Sequence, residues 1–215
     1  MKTLFIEARR KFNKNVDLSL LDKLPGKTIS LAATIQYLDL IPKIKKYLES
    51  KGKKVIIKQG AHYPGHILGC QPQAFDKTCD SLLLLADGKF HGINNSVSLN
   101  KELYIYSTKK IEKITKQDID KANQKTKAKQ KKFLMSKTIG LLVSTKPGQH
   151  YSNIYRVKEK IEKKDKKVYI FQSNDINIGE LENFPQIQIW VNTACYGLAS
   201  DDPKIVNLQD VLEFL

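Results

Sequence analysis

Two hydrophobic periods alternate along the chain. Thr28–Ala33 (TISLAA), set off by Pro25-Gly26, reads as a strand. In the next stretch Ile35, Leu38, Ile41, Ile44 and Leu48 recur at helical spacing. Pro42 suits a first turn better than an interior, so the regular helix is predicted to start near Leu40 and to close at Gly52. Lys53–Lys58 (KKVIIK) is the following strand. Strand, helix, glycine, strand is the sequence form of a βαβ unit. Asp80–Asp87 (DSLLLLAD) is an apolar run bounded by polar residues, as expected of a strand buried on both faces of a parallel sheet. Leu103–Tyr106 (LYIY) is a further strand. Lys2–Glu7 (KTLFIE) is a candidate first strand, Phe75–Cys79 a candidate short helix, and Gln59–Gln71, rich in glycine and proline, a loop.

A second cycle begins at Thr138–Ser144 (TIGLLVS), a strand. Ser152–Lys164 follows as a helix with Ile154, Val157 and Ile161 on one face, and Val168–Gln172 is a strand. Ile178–Phe184 reads as a short helix, Ile187–Val191 as a strand and Val206–Leu215 as a final amphipathic segment. The fold class expected is therefore α/β: two similar small domains, each a mostly parallel sheet flanked by helices. They occupy 1–114 and 138–215, joined by a basic helical connector over 115–137.

Composition narrows the function classes. Hydrophobic residues make up 41% and charged residues 27% of 215, which is globular. The formal charge is 37 − 22 = +15. Only Arg9, Arg10 and Arg156 among those cations are arginine, whereas specific nucleic-acid readers lean on bidentate arginine. A lysine-rich solvated surface is thus preferred to a nucleic-acid interface, and Thr115–Lys137 keeps an RNA- or ribosome-binding arm as an alternative. No run of 18 apolar residues is present to span a membrane, and the apolar stretch at the N-terminus is too short for a signal-peptide core. Three cysteines, an odd number, argue against a disulfide framework and for a cytoplasmic chain with thiols free for metal or redox chemistry.

Cys70 lies in a glycine-containing loop (ILGCQ), and Cys195 directly follows an apolar strand (WVNTACYG). In α/β proteins ligand sites gather beyond the carboxyl ends of parallel strands, where both cysteines are expected. Cys79, at the mouth of a buried strand, reads first as a small buried hydrophobe. The C-x8-C spacing of Cys70 and Cys79 is not a standard zinc pair. His91 closes a polar cluster, Asp87-Gly88-Lys89-Phe90-His91. Lys146-Pro147-Gly148-Gln149 follows a strand at once. Its glycine permits close backbone approach and its lysine can pair a carboxylate or phosphate, without the spacing of a P-loop. Asp201-Asp202-Pro203 reads as a turn or helix cap. The hydrolase signatures HExxH and GxSxG are missing from the sequence.

Four segments together, YPGHILGC (Tyr63–Cys70), LLLLADGKFH (Leu82–His91), LLVSTKPGQ (Leu141–Gln149) and WVNTACYGLASDDP (Trp190–Pro203), resemble the diphthamide synthesis 3-amino-3-carboxypropyl transferases of archaea and eukaryotes, in the family's order. TIQYLDLIPKIKKYLESKGKKV is similar to the preceding family segment. The resemblance implies three similar α/β domains, each giving one cysteine to a 4Fe–4S cluster that cleaves S-adenosylmethionine. The 3-amino-3-carboxypropyl radical released would add to a histidine of translation elongation factor 2, the first step of diphthamide formation. Cys70 matches the middle-domain ligand and Cys195 the last-domain ligand. Cys79 has no counterpart in the family and stands as a further candidate. Lys146, Gly148, Gln149 and His91 are candidate cofactor contacts from loop placement. Tyr196-Gly197 stands where the family has Pro-Arg. The chain is expected to begin at the family's middle domain, so that a partner chain or a homo-oligomer completes the site. A non-catalytic scaffold subunit is the alternative.

Overall fold

The computed structural model describes residues 4, 6–12, 16–69, 72–199 and 202–215. They form two compact units, 1–122 and 123–215.

In the first unit, β1 (Thr28–Ala33) leads through a 3₁₀ turn into α1 (Ile41–Ser50), with Pro42 in its first turn, and then to β2 (Lys54–Ile56). Next come β3 (Ser81–Leu85), α2 (Phe90–Leu99), β4 (Leu103–Tyr106) and β5 (Ile111–Ile114). The sheet order is β2-β1-β3-β4-β5. The first four strands run parallel, with Leu31 opposite Leu83 and Leu84 opposite Ile105, and β5 closes one edge antiparallel to β4. All five residues of β3 are buried, as its unbroken apolar run requires. Leu31, Leu83 and Leu85 pack with Ile41, Ile44 and Leu48 of α1 on one face. Ala32, Leu82, Leu84 and Ile105 pack on the other, where Ile93 and Val97 of α2 close over them.

The long basic helix α3 (Lys116–Met135) has its first turns in this unit, with Ile119 in the core, and its remainder in the second, where Phe133 is fully buried. Lys166 caps its carboxyl end, donating to the carbonyls of Phe133, Leu134 and Ser136 at 3.2, 2.7 and 2.6 Å.

The second unit contains β6 (Thr138–Ser144), α4 (Ile154–Glu162), β7 (Lys167–Ser173), β8 (Ile189–Asn192), β9 (Ile205–Asn207) and the one-turn α5 (Leu208–Val211). Its order, β7-β6-β8-β9, is wholly parallel and repeats the 2-1-3-4 pattern of the first sheet. Ile154, Val157 and Ile161 of α4 cover Leu141, Val143 and Val191. On the opposite face Gly140 makes room for Trp190: a Cβ there would lie 2.2 Å from the indole ring.

Two sequence expectations are corrected. Of Lys2–Glu7, residues Lys2, Thr3 and Phe5 lie outside the described residues. Leu4, Ile6 and Glu7 are in no strand, and the two apolar ones are exposed. Phe75–Cys79 is not helical. A 3₁₀ turn over Pro72–Ala74 ends at Phe75, and the Asp76 carboxylate then takes the Thr78 N–H and hydroxyl, which competes with helix hydrogen bonding. The final segment Val206–Leu215 divides into the end of β9, α5 and a 3₁₀ turn. β5 and α2 are additions to the predicted elements.

Candidate functional site

In the second sheet the chain passes from β6 to β7 on one side and then crosses to β8 on the other. The connections after β6 and β8 therefore diverge, and the crevice between them is where open α/β sheets bind ligands. The β8 connection is fixed from beneath. Thr193 donates through its N–H and hydroxyl to the Leu142 carbonyl at 3.1 and 2.8 Å. Asn192, 1% exposed, donates through Nδ2 to the Cys195 carbonyl (2.8 Å) and to Asn207 Oδ1 (2.7 Å), and accepts the Ala194 N–H at 3.0 Å. The outcome is an exposed Cys195 thiol on a backbone held by buried hydrogen bonds.

A cleft of about 140 Å³ opens beside Cys195, walled by Ser144 at the end of β6, Lys146 and Gln149 after it, Asn174 and Asp175 after β7, and Ile176 and Leu198. The Lys146 ammonium contacts the Asp175 carboxylate, and this bond holds the Asp175 carboxyl below its ordinary range. The Lys146 N–H donates to Ser144 Oγ (3.1 Å), and the Gln149 N–H to the Lys146 carbonyl (3.0 Å). Gly148, at φ +79°, supplies the turn that brings Lys146 and Gln149 to the cleft, without lining it. Behind the loop, Tyr196 donates to Asp210 (3.3 Å), whose carboxyl is pushed up by burial.

In the first sheet the corresponding crevice lies between β1 and β3. Cys70 falls outside the described residues; Gly69, its predecessor, is packed closely, since a Cβ there would meet the Phe90 ring at 3.1 Å and His91 Nε2 at 3.8 Å. His91, in the first turn of α2, has its pKa lowered by burial. His66, bridged to Ala33 at the end of β1, is 4% exposed with Nδ1 unpartnered among the described residues. Two arginines that sequence reasoning passed over cross this edge. Arg9 pairs with Glu7 and Asp39, each at 2.9 Å, and Arg10 with Asp87 at 3.4 Å. Tyr37 donates to Asp87 (2.5 Å); burial first, and that carboxylate second, push its hydroxyl up to about 12.

Cys79 is elsewhere. It precedes β3, at the opposite end of the strand from His91. It is 2% exposed, Lys101 donates to its carbonyl, and burial pushes the thiol up. The structure thus brings Lys146, Gln149 and Cys195 together, sets His91 against Gly69, and separates Cys79 from both places. Among the described residues no three histidine, cysteine, aspartate or glutamate side chains converge as a metal site. Asp202 accepts the Lys204 N–H at 2.6 Å, a turn as expected; Asp201 is outside the described residues.

A profile of the diphthamide synthesis protein family matches residues 1–205. The chain belongs to that family. Among its relatives are the 2-(3-amino-3-carboxypropyl)histidine synthases of Pyrococcus horikoshii, 28% identical over 82% of this chain and 52% of the relative, and of Methanocaldococcus jannaschii, 28% identical over 96% and 56%. The chain therefore spans about half the length of these relatives. The crystal structure of Dph2 from Pyrococcus horikoshii superposes with a TM-score of 0.78 at 26% identity, over 89% of this chain and 57% of that one. A crystal structure of the same protein with a 4Fe–4S cluster gives 0.77. In this family member three of the four sequence segments noted above run to the carboxyl edges of the two sheets: Leu82–His91 and Leu141–Gln149 pass through β3 and β6 into the loops beyond, and Trp190–Pro203 does so through β8. No helix among the described residues is long and apolar enough to cross a membrane.

Proposed function

We propose that this chain is a component of an iron–sulfur, S-adenosylmethionine-dependent enzyme that transfers a 3-amino-3-carboxypropyl group to a histidine of translation elongation factor 2 in the cytoplasm. The observation that carries the reading is the exposed Cys195 thiol at the carboxyl edge of β8, beside a polar cleft, in a chain matched by the diphthamide family from end to near end.

The donor chemistry suits the cofactor. A thiolate is the soft ligand that iron–sulfur clusters take, and Cys195 is exposed, open to ligation. Cys195 and Cys70 are two of the cluster's ligands in this reading. Cys79 is a structural thiol here, because burial disfavours its thiolate. When bound, a 4Fe–4S cluster supplies a reducing electron and a coordination position for the sulfonium cofactor. The protein's own contributions are positional. Lys146 holds the cofactor carboxylate, Gly148 shapes the turn, Gln149 adds a polar contact, and His91 flanks the loop that carries Cys70. A non-catalytic partner subunit is the second reading.

Anaerobic reconstitution with iron and sulfide tests the proposal. Visible thiolate-to-iron absorption and iron content matching one cluster, lost in Cys70→Ser or Cys195→Ser and kept in Cys79→Ser, are expected. No specific iron, even with a homologous first domain added, would leave the partner-subunit reading.

A further inference from the structure

Charge is divided within the second unit. Residues 123–167 carry 14 lysines and arginines against 3 acids, 14 − 3 = +11, and residues 168–215 carry 1 against 7, 1 − 7 = −6. A lysine-rich surface of the general kind would show no such division. The order β7-β6-β8-β9 lays it out along the amino edge of the sheet, the edge opposite Cys195: Lys167 opens β7 and Lys137 precedes β6, while Asp202 stands ahead of β9 at the far end. The Lys167 N–H donates to the Lys137 carbonyl at 2.7 Å. Lys166, at the carboxyl end of α3, has its pKa lowered by burial first and then by the charges of Lys137 and Lys164. Beside them Lys131, Lys132, Ser136 and Gln188 line a groove of about 380 Å³. The ion pairs described in this unit, Lys146–Asp175 and Lys158–Glu162, use none of these lysines. We propose that this edge binds the phosphodiester backbone of RNA without reading its sequence.

The kind of cation and its neighbours select the ligand. Lysine is a point charge that suits a phosphate, whereas base edges are read by the bidentate fork of arginine, and the patch, 131–137 with 163–167, has no arginine. Asp165 is the one acid in that patch. Like charges set this close repel and weaken the fold, a cost that a polyanion offsets as its own counterions are released. In the groove Gln188 Oε1 accepts the Lys137 and Thr138 N–H groups at 2.6 and 3.1 Å, which leaves its Nε2 to donate. The groove's size suits a nucleotide, which needs ~300 Å³ or more. Leu134 and Met135, 48% and 71% exposed, are too small an apolar area for the core of a protein interface or the buried face of a membrane-seated helix. RNA is the nucleic acid of the cytoplasm, the compartment in the reading above, and only that choice rests on it.

Fluorescence anisotropy of a labelled, unstructured RNA of about 20 nucleotides, titrated with the full iron-free chain, tests the proposal. With about five phosphates contacted, affinity should fall ~100-fold between ~50 and ~200 mM salt, and equally for two unrelated sequences. Lys131→Gln, Lys137→Gln and Lys164→Gln together should lower the slope of log K against log salt by ~2. Lys46→Gln, Lys54→Gln and Lys109→Gln together, at exposed lysines of the first unit, remove the same charge and should leave the slope as it was. Equal effects of the two triple variants would show net charge alone at work and overturn the proposal. So would binding that ignores salt, a strong preference for one sequence, or tighter binding to polyglutamate or to phosphatidylserine vesicles. In cell extract at ~100 mM salt, RNase and not DNase should shift the chain to lighter gradient fractions, and release by DNase alone would overturn the assignment to RNA. Iron loading at Cys195 is scored separately. RNA binding without loading supports the proposal and removes the enzyme reading; loading without RNA binding does the reverse.

Discussion

Replacing Asn192 by leucine, which is close in size, removes the three hydrogen bonds that hold the β8 connection: two donated to the Cys195 carbonyl and Asn207 Oδ1, one accepted from the Ala194 N–H. Loop groups freed at Ala194 and Cys195 can turn to water, so each of those losses costs about 1 kcal/mol. Asn207 is 3% exposed and would keep a buried oxygen without its donor, at ~1–3 kcal/mol. The expected destabilisation is therefore ~3–5 kcal/mol in the second unit. Urea unfolding followed by fluorescence measures it directly, because the single tryptophan, Trp190, sits in this unit's core. The double variant with Asn207→Leu should recover part of the loss, since both members of the pair are then apolar. In the native state Cys195 should also react with an alkylating agent at a changed rate. A single-variant loss below ~0.5 kcal/mol, or strict additivity in the double, would show that the network does not fix the loop.

In a Cys70→Ser background, mass-spectrometric alkylation should modify Cys195 at once and Cys79 only as the first unit unfolds; rapid labelling of Cys79 would contradict its burial and raised pKa. Gly140→Ala should destabilise the second unit by ~1–3 kcal/mol and alter Trp190 fluorescence, because the new Cβ overlaps the indole ring; unchanged urea stability would show a looser face than described. Hydrogen bonds from Thr28 and Lys27 hold the Asp80 carboxyl below its ordinary value. A carboxyl lowered in the folded state stabilises above the unfolded-state pKa and loses that contribution as pH falls through the lowered one. Asp80→Asn should therefore flatten the acid side of the stability–pH curve of the first unit, measured by circular dichroism across a pH series, and an unaltered acid limb would refute the linkage.

Strands β1, β3 and β6 were legible because central parallel strands are buried on both faces and read as unbroken apolar runs. Of the edge strands, β2 and β7 were also legible, whereas β5 and β9 were not. β5 (IEKI) carries two charges and β9 (IVN) has three residues, too few for any period to show. Helix α2 hides behind Gly92, Asn94, Asn95, Ser96 and Ser98, all poor helix formers, and is held by Ile93 and Val97 against the sheet. Its glycine is required, since a Cβ at Gly92 would meet Ile105 at 2.4 Å. At the candidate site, Cys195 and Lys146 were visible as polar residues directly after apolar strands. Asp175 was not, because only the order β7-β6-β8 sets the end of β7 beside the end of β6. Adjacency of that kind comes from how the chain crosses over, which no local pattern encodes.

The 2-1-3-4 order also has a consequence on the ribosome. An interior strand of the second sheet is the first of that sheet to be synthesised: β6 ends at Ser144, whereas its partners begin at Lys167 and Ile189. Elongation at ~5–20 residues per second leaves TIGLLVS without one flank for ~1–5 s and without the other for ~2–9 s. Parallel pairing cannot be replaced by a local hairpin in that interval. Nascent chains arrested between α4 and β7 should thus be the species that chaperones hold and that aggregate when chaperones are scarce. The yield of folded protein should respond more to the translation speed of residues 145–190 than to that of any later segment.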